Sequence, residues 1–301
     1  MKRSIFCPVF LALLVGTSSA QKTPVVPDNV EMLRNVEFGK GGDLTLRMHI
    51  LRPKPAPKEA MPVLVYINGS AWMHDNKDMA VGRLIGTAQQ GYFGATIQIR
   101  TSGEAKFPAQ IEDAKCAIRY LRAKAKEYNI DPDRIGVWGE SSGGHLSALV
   151  GVTANVKEFE GNGGWPEFSS RVSCVCAMCP AIDFLSSDWP ARHNEPNGPA
   201  FRLLGGDPRK DKGDLAKKAS PLTYITKDSP PFFIVHGDAD TTVPHAQGEL
   251  LLNALKKAGV EATMYTIKGG NHPSVDQKFI DKMVVDEFFD KHLKKGIQTA
   301  K

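Results

Sequence analysis

The chain has 301 residues, of which 42% are apolar and 24% charged, and a formal net charge of +5. This composition suits one large folded domain or two smaller ones and excludes a disordered, collagenous or coiled-coil chain. The positive balance is too mild to mark a nucleic acid or an anionic membrane surface as partner.

Lys2 and Arg3 precede an apolar run from Ile5 to Gly16, and the small residues Thr17-Ser18-Ser19-Ala20 follow. That is the layout of a signal peptide cleaved after about Ala20, so the expected location is secreted or periplasmic. The run is about twelve residues where a membrane span needs roughly twenty, so no membrane anchor is expected. Losing Lys2 and Arg3 leaves 36 basic residues against 33 acidic ones, a balance of +3.

From residue 31 onward, short β-branched runs alternate with amphipathic stretches. RNVEFGKGGDLTLRMHILRP predicts two antiparallel strands around Gly39 to Gly42. Residues 62–68 (PVLVYIN) and 94–100 (GATIQIR) read as buried strands, with a helix over 78–89 between them, ended by Gly91. Residues 107–130 place Ile111, Ala114, Ile118 and Leu121 on one stripe of a helix that Asp131-Pro132 ends, before RIGVWG resumes a strand. A helix over 142–150, strands over 172–178 and 231–236, a helix over 244–257, the strand EATMYTI and a closing helix over 275–294 complete the series. This βαβα repetition predicts an α/β fold: a mainly parallel, eight-stranded sheet with helices on both faces. The irregular stretch 181–230, rich in Pro and Gly, reads as a cap-like insertion over a site.

Export would allow disulfides, so the cysteines matter. Cys7 falls in the signal segment, leaving Cys116, Cys174, Cys176 and Cys179. Cys174 and Cys176 share one strand face about 7 Å apart, too far for an undistorted bridge. A single strand cannot wrap a zinc ion. The expected role is small core residues, with no metal and no organic cofactor.

The pattern G-x-S-x-G occurs at Gly139-Glu140-Ser141-Ser142-Gly143. At ordinary Gly and Ser usage it recurs by chance in roughly one chain in ten of this length, so context must decide. The strand RIGVW precedes it and the helix SGGHLSALV follows, the setting of a nucleophile elbow in which Ser141 is presented above the sheet edge. A phosphate cradle would need a different glycine spacing, which is absent.

A serine hydroxyl needs a base, and the base a carboxylate. His272, in the glycine-flanked loop KGGNHPS after the last strand, is the predicted base. His145 is read as packed or surface-lying, His236 as structural and His292 as solvent-facing, while His193 and His245 receive no role. Asp240, Asp238 and Asp183 are candidates for the acid. Asp240 is favoured because Pro244 pins its loop, and Asp238 reads as a turn residue. The oxyanion donors are expected to be the backbone N–H of Ser142 with those of Gly69 and Ser70, and Ala71 as an alternative. Trp72 and Glu140 are candidate pocket residues.

INGSAW, SGEAKFPAQIEDAKCAIRYLRAKA, YNIDPDRIGVWGESSGGHLSAL, EFEGNGGWPEFSSRV, ASPLTYITKDSPPFFIVHGDADTTVP and LLLNALKKAGVEATMYTIKGGNH resemble the α/β-hydrolase superfamily. The likeness is to the secreted esterase branch that includes feruloyl and acetylxylan esterases, relatives of hormone-sensitive-lipase-type esterases, and it spans about residues 31 to 295. It implies an α/β-hydrolase catalytic domain between an N-terminal linker (21–30) and a tail (296–301). It also implies Ser141 as nucleophile, Asp240 as acid and His272 as base. The implied activity is removal of acetyl or feruloyl groups from plant polysaccharides, or hydrolysis of small short-chain esters. One departure stands out: the branch usually carries His-Gly-Gly-Ala-Trp where this chain has Asn68-Gly69-Ser70-Ala71-Trp72. Asn68 can still hydrogen-bond, but Ser70 adds a side chain, so an altered oxyanion loop and acyl-group size are expected. Two other readings compete: a serine peptidase or amidase on the same fold, and an inactive hydrolase-fold binding module.

Overall fold

The computed structural model describes residues 24–272 and 276–294. The predicted signal segment (1–20) and the whole tail (296–301) lie outside the described residues. Eight strands, β1 (Val30–Gly41), β2 (Leu44–Pro53), β3 (Met61–Ile67), β4 (Phe93–Ile97), β5 (Ile130–Glu140), β6 (Cys174–Met178), β7 (Phe232–Gly237) and β8 (Ala262–Ile267), form one sheet. Their order is β1-β2-β4-β3-β5-β6-β7-β8. The β1–β2 and β2–β4 pairs are antiparallel, and every pair from β4 through β3 to β8 is parallel.

Strands β3 and β6 are apolar and buried along their whole length because both faces are covered. In β3, Val63, Val65 and Ile67 face one core, with Ile111, Ile118, Leu146 and Leu149 from the helices Ala109–Ala123 and Ser142–Val152. Leu64 and Tyr66 face the other, with Leu84 from the helix Val81–Gln89 and Val285 and Phe289 from the closing helical run. Trp138 anchors that second core, edge-on to Tyr66 at 4.7 Å and to Phe289 at 6.0 Å. Its truncation to alanine would cost about 3–5 kcal/mol.

Two boundaries differ from expectation. The helix predicted over 107–130 breaks at Lys124 into Ala109–Ala123 and Ala125–Tyr128, and Asn129, at φ 53°, ends it. The strand then starts at Ile130, so Asp131-Pro132 lies inside β5. There the pairing with β3 is irregular between Met61 and Val63, which accommodates a residue that cannot donate to the ladder. His292 also departs from its solvent-facing reading: it lies edge-on against Phe288 at 4.9 Å, with Glu261 3.6 Å from its Nε2. The stretch 181–230 holds two short helices, Pro199–Leu204 and Gly213–Ala219.

β3 leads to β4 on one side and neighbours β5 on the other, so the chain's winding reverses between β3 and β5. In open α/β sheets a crevice forms at the carboxyl ends of the strands at such a reversal. The NGSAW loop and Ser141 both emerge there.

Candidate active site

Ser141 sits at φ 55°, ψ −121°, a backbone conformation that costs a non-glycine residue about 1–3 kcal/mol. Its neighbours hold it there: Ser141 N donates to Met178 O, and His145 N donates to Ser141 O, both at 2.9 Å. The turn closes only because two glycines flank it. A Cβ on Gly139 would lie 2.4 Å from Ile67 O, and one on Gly143 would lie 1.9 Å from the same atom. These are the contacts for which the sequence pattern needs glycine.

Ser141, His272 and Asp240 are brought together from three loops. Ser141 Oγ is 2.9 Å from His272 Nε2, and His272 Nδ1 is 2.6 Å from Asp240 Oδ2. Because a carboxylate only accepts, Nδ1 carries the proton and Nε2 is left to accept from the serine hydroxyl. Asp240 Oδ1 accepts from the N–H groups of Thr242 and Val243 at 2.8 and 2.9 Å. Burial would raise the Asp240 pKa, but hydrogen bonds from His236, His272 and Val243 outweigh it and hold the carboxyl well below the usual carboxylate range.

The other acids are occupied elsewhere. Asp238 Oδ1 accepts from Gly269 N at 2.6 Å, tying the β7 loop to the β8 loop, and Asp183 Oδ1 accepts from Leu185 N. His145 is enclosed between Trp72 and Phe184 with Nε2 against Ala219 O at 2.7 Å, and burial pushes its pKa down to about 4. His236 bonds Val243 O at 2.8 Å and lies 3.5 Å from Asp240, as a structural reading expects. Cys116, Cys174, Cys176 and Cys179 are free thiols buried in the structure. Cys179 has its ligand atom, with those of Asp240 and His272, inside a 4.8 Å group. Burial raises its pKa, which keeps the thiol protonated beside the triad.

The oxyanion loop carries a contact that its sequence did not suggest. Ser70 N–H donates to Ser142 Oγ at 2.9 Å, so this donor is committed to the neighbouring hydroxyl. Gly69 packs against the elbow: a Cβ there would lie 2.7 Å from Glu140 O and 3.2 Å from Ser141 Cβ. Asn68 Nδ2 donates to Gly69 O at 3.0 Å, bracing the loop as its polarity suggested. Ala71 and Trp72 follow at φ 53° and 59°, turning the chain back over the site.

A cavity of about 40 Å³ opens on Ser141, walled by Trp72, Trp189, His193, Pro199 and Val243. Trp72 lines this cavity, whereas Glu140 is not in its lining and its carboxylate pairs with Arg83 at 3.0 Å. His193 was not legible as a site residue. It lies in the turn Ala191–His193 of the irregular stretch, and its Nε2 reaches Thr242 O at 2.9 Å, in the loop of Asp240.

Known proteins share this arrangement of sequence and fold. The chain is similar to Esterase LipQ and to the "probable carboxylic ester hydrolase LipM" of Mycobacterium tuberculosis, at 30% identity over 80% of its length and 31% over 76%. It spans 57% and 52% of those relatives, about half of each. Among solved structures it is similar to a truncated carbohydrate esterase from gut microbiota, at 37% identity and TM-score 0.81, covering 91% of this chain and 100% of that one. It is also similar to an acetyl ester-xyloside bifunctional hydrolase from Caldicellulosiruptor lactoaceticus, at 25% identity and TM-score 0.66, covering 84% and 86%. The BD-FAE family model matches residues 48–255, and with the eight-stranded sheet in place the chain belongs to the BD-FAE family within the α/β-hydrolase superfamily.

Proposed function

We propose that this protein is an exported serine carboxylic ester hydrolase that removes acetyl groups from plant polysaccharides or small esters. Ser141 Oγ attacks the ester carbonyl as His272 Nε2 takes its proton, and Asp240 orients and stabilises the resulting imidazolium. His272 then protonates the departing alcohol. Water, deprotonated by the same nitrogen, releases the acid from the acyl-enzyme. The backbone N–H groups of Ala71 and Ser142 meet the oxyanion, since Ser70 N–H is engaged by Ser142 Oγ. The observation that carries this reading is the unbroken hydrogen-bonded line from Ser141 through His272 to Asp240 at the foot of a small cavity.

The size of that cavity supports acetyl over feruloyl. One water needs roughly 10–15 Å³ on the same measure, so the enclosed space of about 40 Å³ beside Ser141 matches a two- or three-atom acyl group. Similarity to a carbohydrate esterase and to an acetyl ester-xyloside hydrolase supports a saccharide alcohol. The test is a panel of p-nitrophenyl esters beside acetylated xylan and a methyl hydroxycinnamate. Each added methylene that the walls exclude should cost about tenfold in kcat/KM, so acetate should exceed butanoate by about 100-fold. Turnover of the hydroxycinnamate as fast as that of acetyl esters would contradict the acetyl assignment.

A further inference from the structure

The turn that carries Asp240 is held at each carbonyl from Thr241 to Val243. Val243 O accepts from His236 Nε2 at 2.8 Å, Thr242 O accepts from His193 Nε2 at 2.9 Å, and Thr241 O accepts from Arg192 Nη2. The N–H groups of Thr242 and Val243 in turn both donate to Asp240 Oδ1. Thr242 therefore joins two side chains: its N–H holds the carboxylate and its carbonyl is held by His193. His236 belongs to β7, the strand that Asp240 itself follows. His193 comes from the stretch 181–230, 49 positions earlier in the chain than Thr242. Arg192 is exposed whereas His193 is buried, so His193 is the firmer of the two contacts from that stretch.

His193 is itself fixed from behind. Its ring lies against Trp189 at 5.0 Å; Trp189 Nε1 donates to Asn194 Oδ1 and Trp189 O accepts from Arg209 Nη2, both at 3.0 Å. The chain leading to Trp189 is stapled by Gln247, fully buried in the helix His245–Lys257. Its Oε1 accepts from Ile182 N and Asp183 N at 2.9 and 2.8 Å, and its Nε2 donates to Ser186 Oγ at 2.8 Å. A carbonyl only accepts, so Nε2 carries the proton of His193. Burial lowers the pKa of His193 and outweighs the Thr242 carbonyl, so the ring stays neutral.

We propose that His193 is a positioning residue for the acid of the triad, holding Asp240 through Thr242 and so making the stretch 181–230 part of the acid's support. This role deepens the esterase reading and rests on it for the reaction served. His193 also lines the acyl cavity, so its ring and its N–H are separable contributions. The orientation of Asp240 matters most when His272 becomes an imidazolium, so loss of the N–H falls on kcat and leaves KM nearly unchanged.

Two variants separate the contributions. His193→Phe keeps a ring against the cavity and removes the donor, whereas His193→Gln removes the ring and keeps an amide N–H the same number of bonds from Cα. Turnover of p-nitrophenyl acetate is measured per active site titrated with a fluorophosphonate, which counts folded sites alone. His193→Phe should lower kcat about 5- to 10-fold with KM within about twofold, and His193→Gln should exceed it in kcat by about fivefold. A readout independent of turnover is the downfield proton resonance of His272 Nδ1–H, which donates to Asp240 Oδ2 at 2.6 Å. It should shift or broaden in His193→Phe and persist in His193→Gln. Equal kcat in the two variants, or a larger loss in His193→Gln, with the resonance unmoved in His193→Phe, overturns the positioning role and leaves the esterase reading standing. Absence of p-nitrophenyl acetate hydrolysis by the parent overturns the esterase reading, and the resonance then decides whether His193 holds Asp240.

Discussion

Replacing Ser142 by alanine removes a single atom, the Oγ that accepts Ser70 N–H at 2.9 Å and pins the oxyanion loop to the elbow. Beyond that pin, Ala71 and Trp72 both hold positive φ, a conformation that costs a non-glycine residue about 1–2 kcal/mol each and persists only while the surroundings enforce it. Losing the hydrogen bond contributes about 1–2 kcal/mol toward relaxing the loop, and that loss falls on the Ala71 donor in the transition state. The backbone N–H of residue 142 remains, so the effect stays below the roughly 100- to 1,000-fold loss of deleting a donor outright. We expect kcat on p-nitrophenyl acetate to fall about 5- to 30-fold with KM nearly unchanged, and affinity for a phosphonate transition-state analogue to fall by the same factor. Parallel steady-state and inhibition assays measure both. A kcat within about twofold of the parent would refute the role assigned to the Ser70–Ser142 contact.

Asp240→Asn should lower kcat by about 10⁴-fold because the amide favours the wrong His272 tautomer, whereas Asp238→Asn should stay within about tenfold; pre-steady-state acylation rates distinguish them. His145 has its pKa pushed from 6.5 to about 4 by burial, so the unfolded chain binds a proton that the folded one refuses between those values. Folding stability from this residue is therefore complete above pH 6.5 and is lost as pH falls toward 4, by about 3 kcal/mol. Urea titrations from pH 7 to pH 4.5 should show a shallower acid decline in His145→Gln, and an unchanged slope would count against the burial argument.

The elements that carry the site were legible where local chemistry and chain order act together. Ser141 follows from a glycine-bounded turn between a strand and a helix, and the clash distances at Gly139 and Gly143 give the steric reason. His272 follows from its loop after the last strand. Asp240 and Asp238 stand two apart in HGDAD, and only the fold separates them, turning one to His272 and the other to Gly269 N. The engagement of Ser70 N–H was not legible because its contact with Ser142 Oγ joins residues 72 positions apart. No periodicity reports such a pairing. His193 was silent for a related reason: its stretch has no regular pattern, and the histidine reaches the site through a backbone carbonyl of a distant loop. The strand onset at Ile130 was missed because proline normally argues against a strand interior, yet here it occupies an irregular pairing.

The central claim is that Ser141, and not its neighbour Ser142, is the nucleophile. Reaction with a fluorophosphonate followed by peptide mass spectrometry tests it directly. The account predicts one adduct per chain, located on Ser141, formed far more slowly in His272→Ala and absent in Ser141→Ala. An adduct on Ser142, or full ester turnover by a protein that the reagent leaves unlabelled, would contradict it.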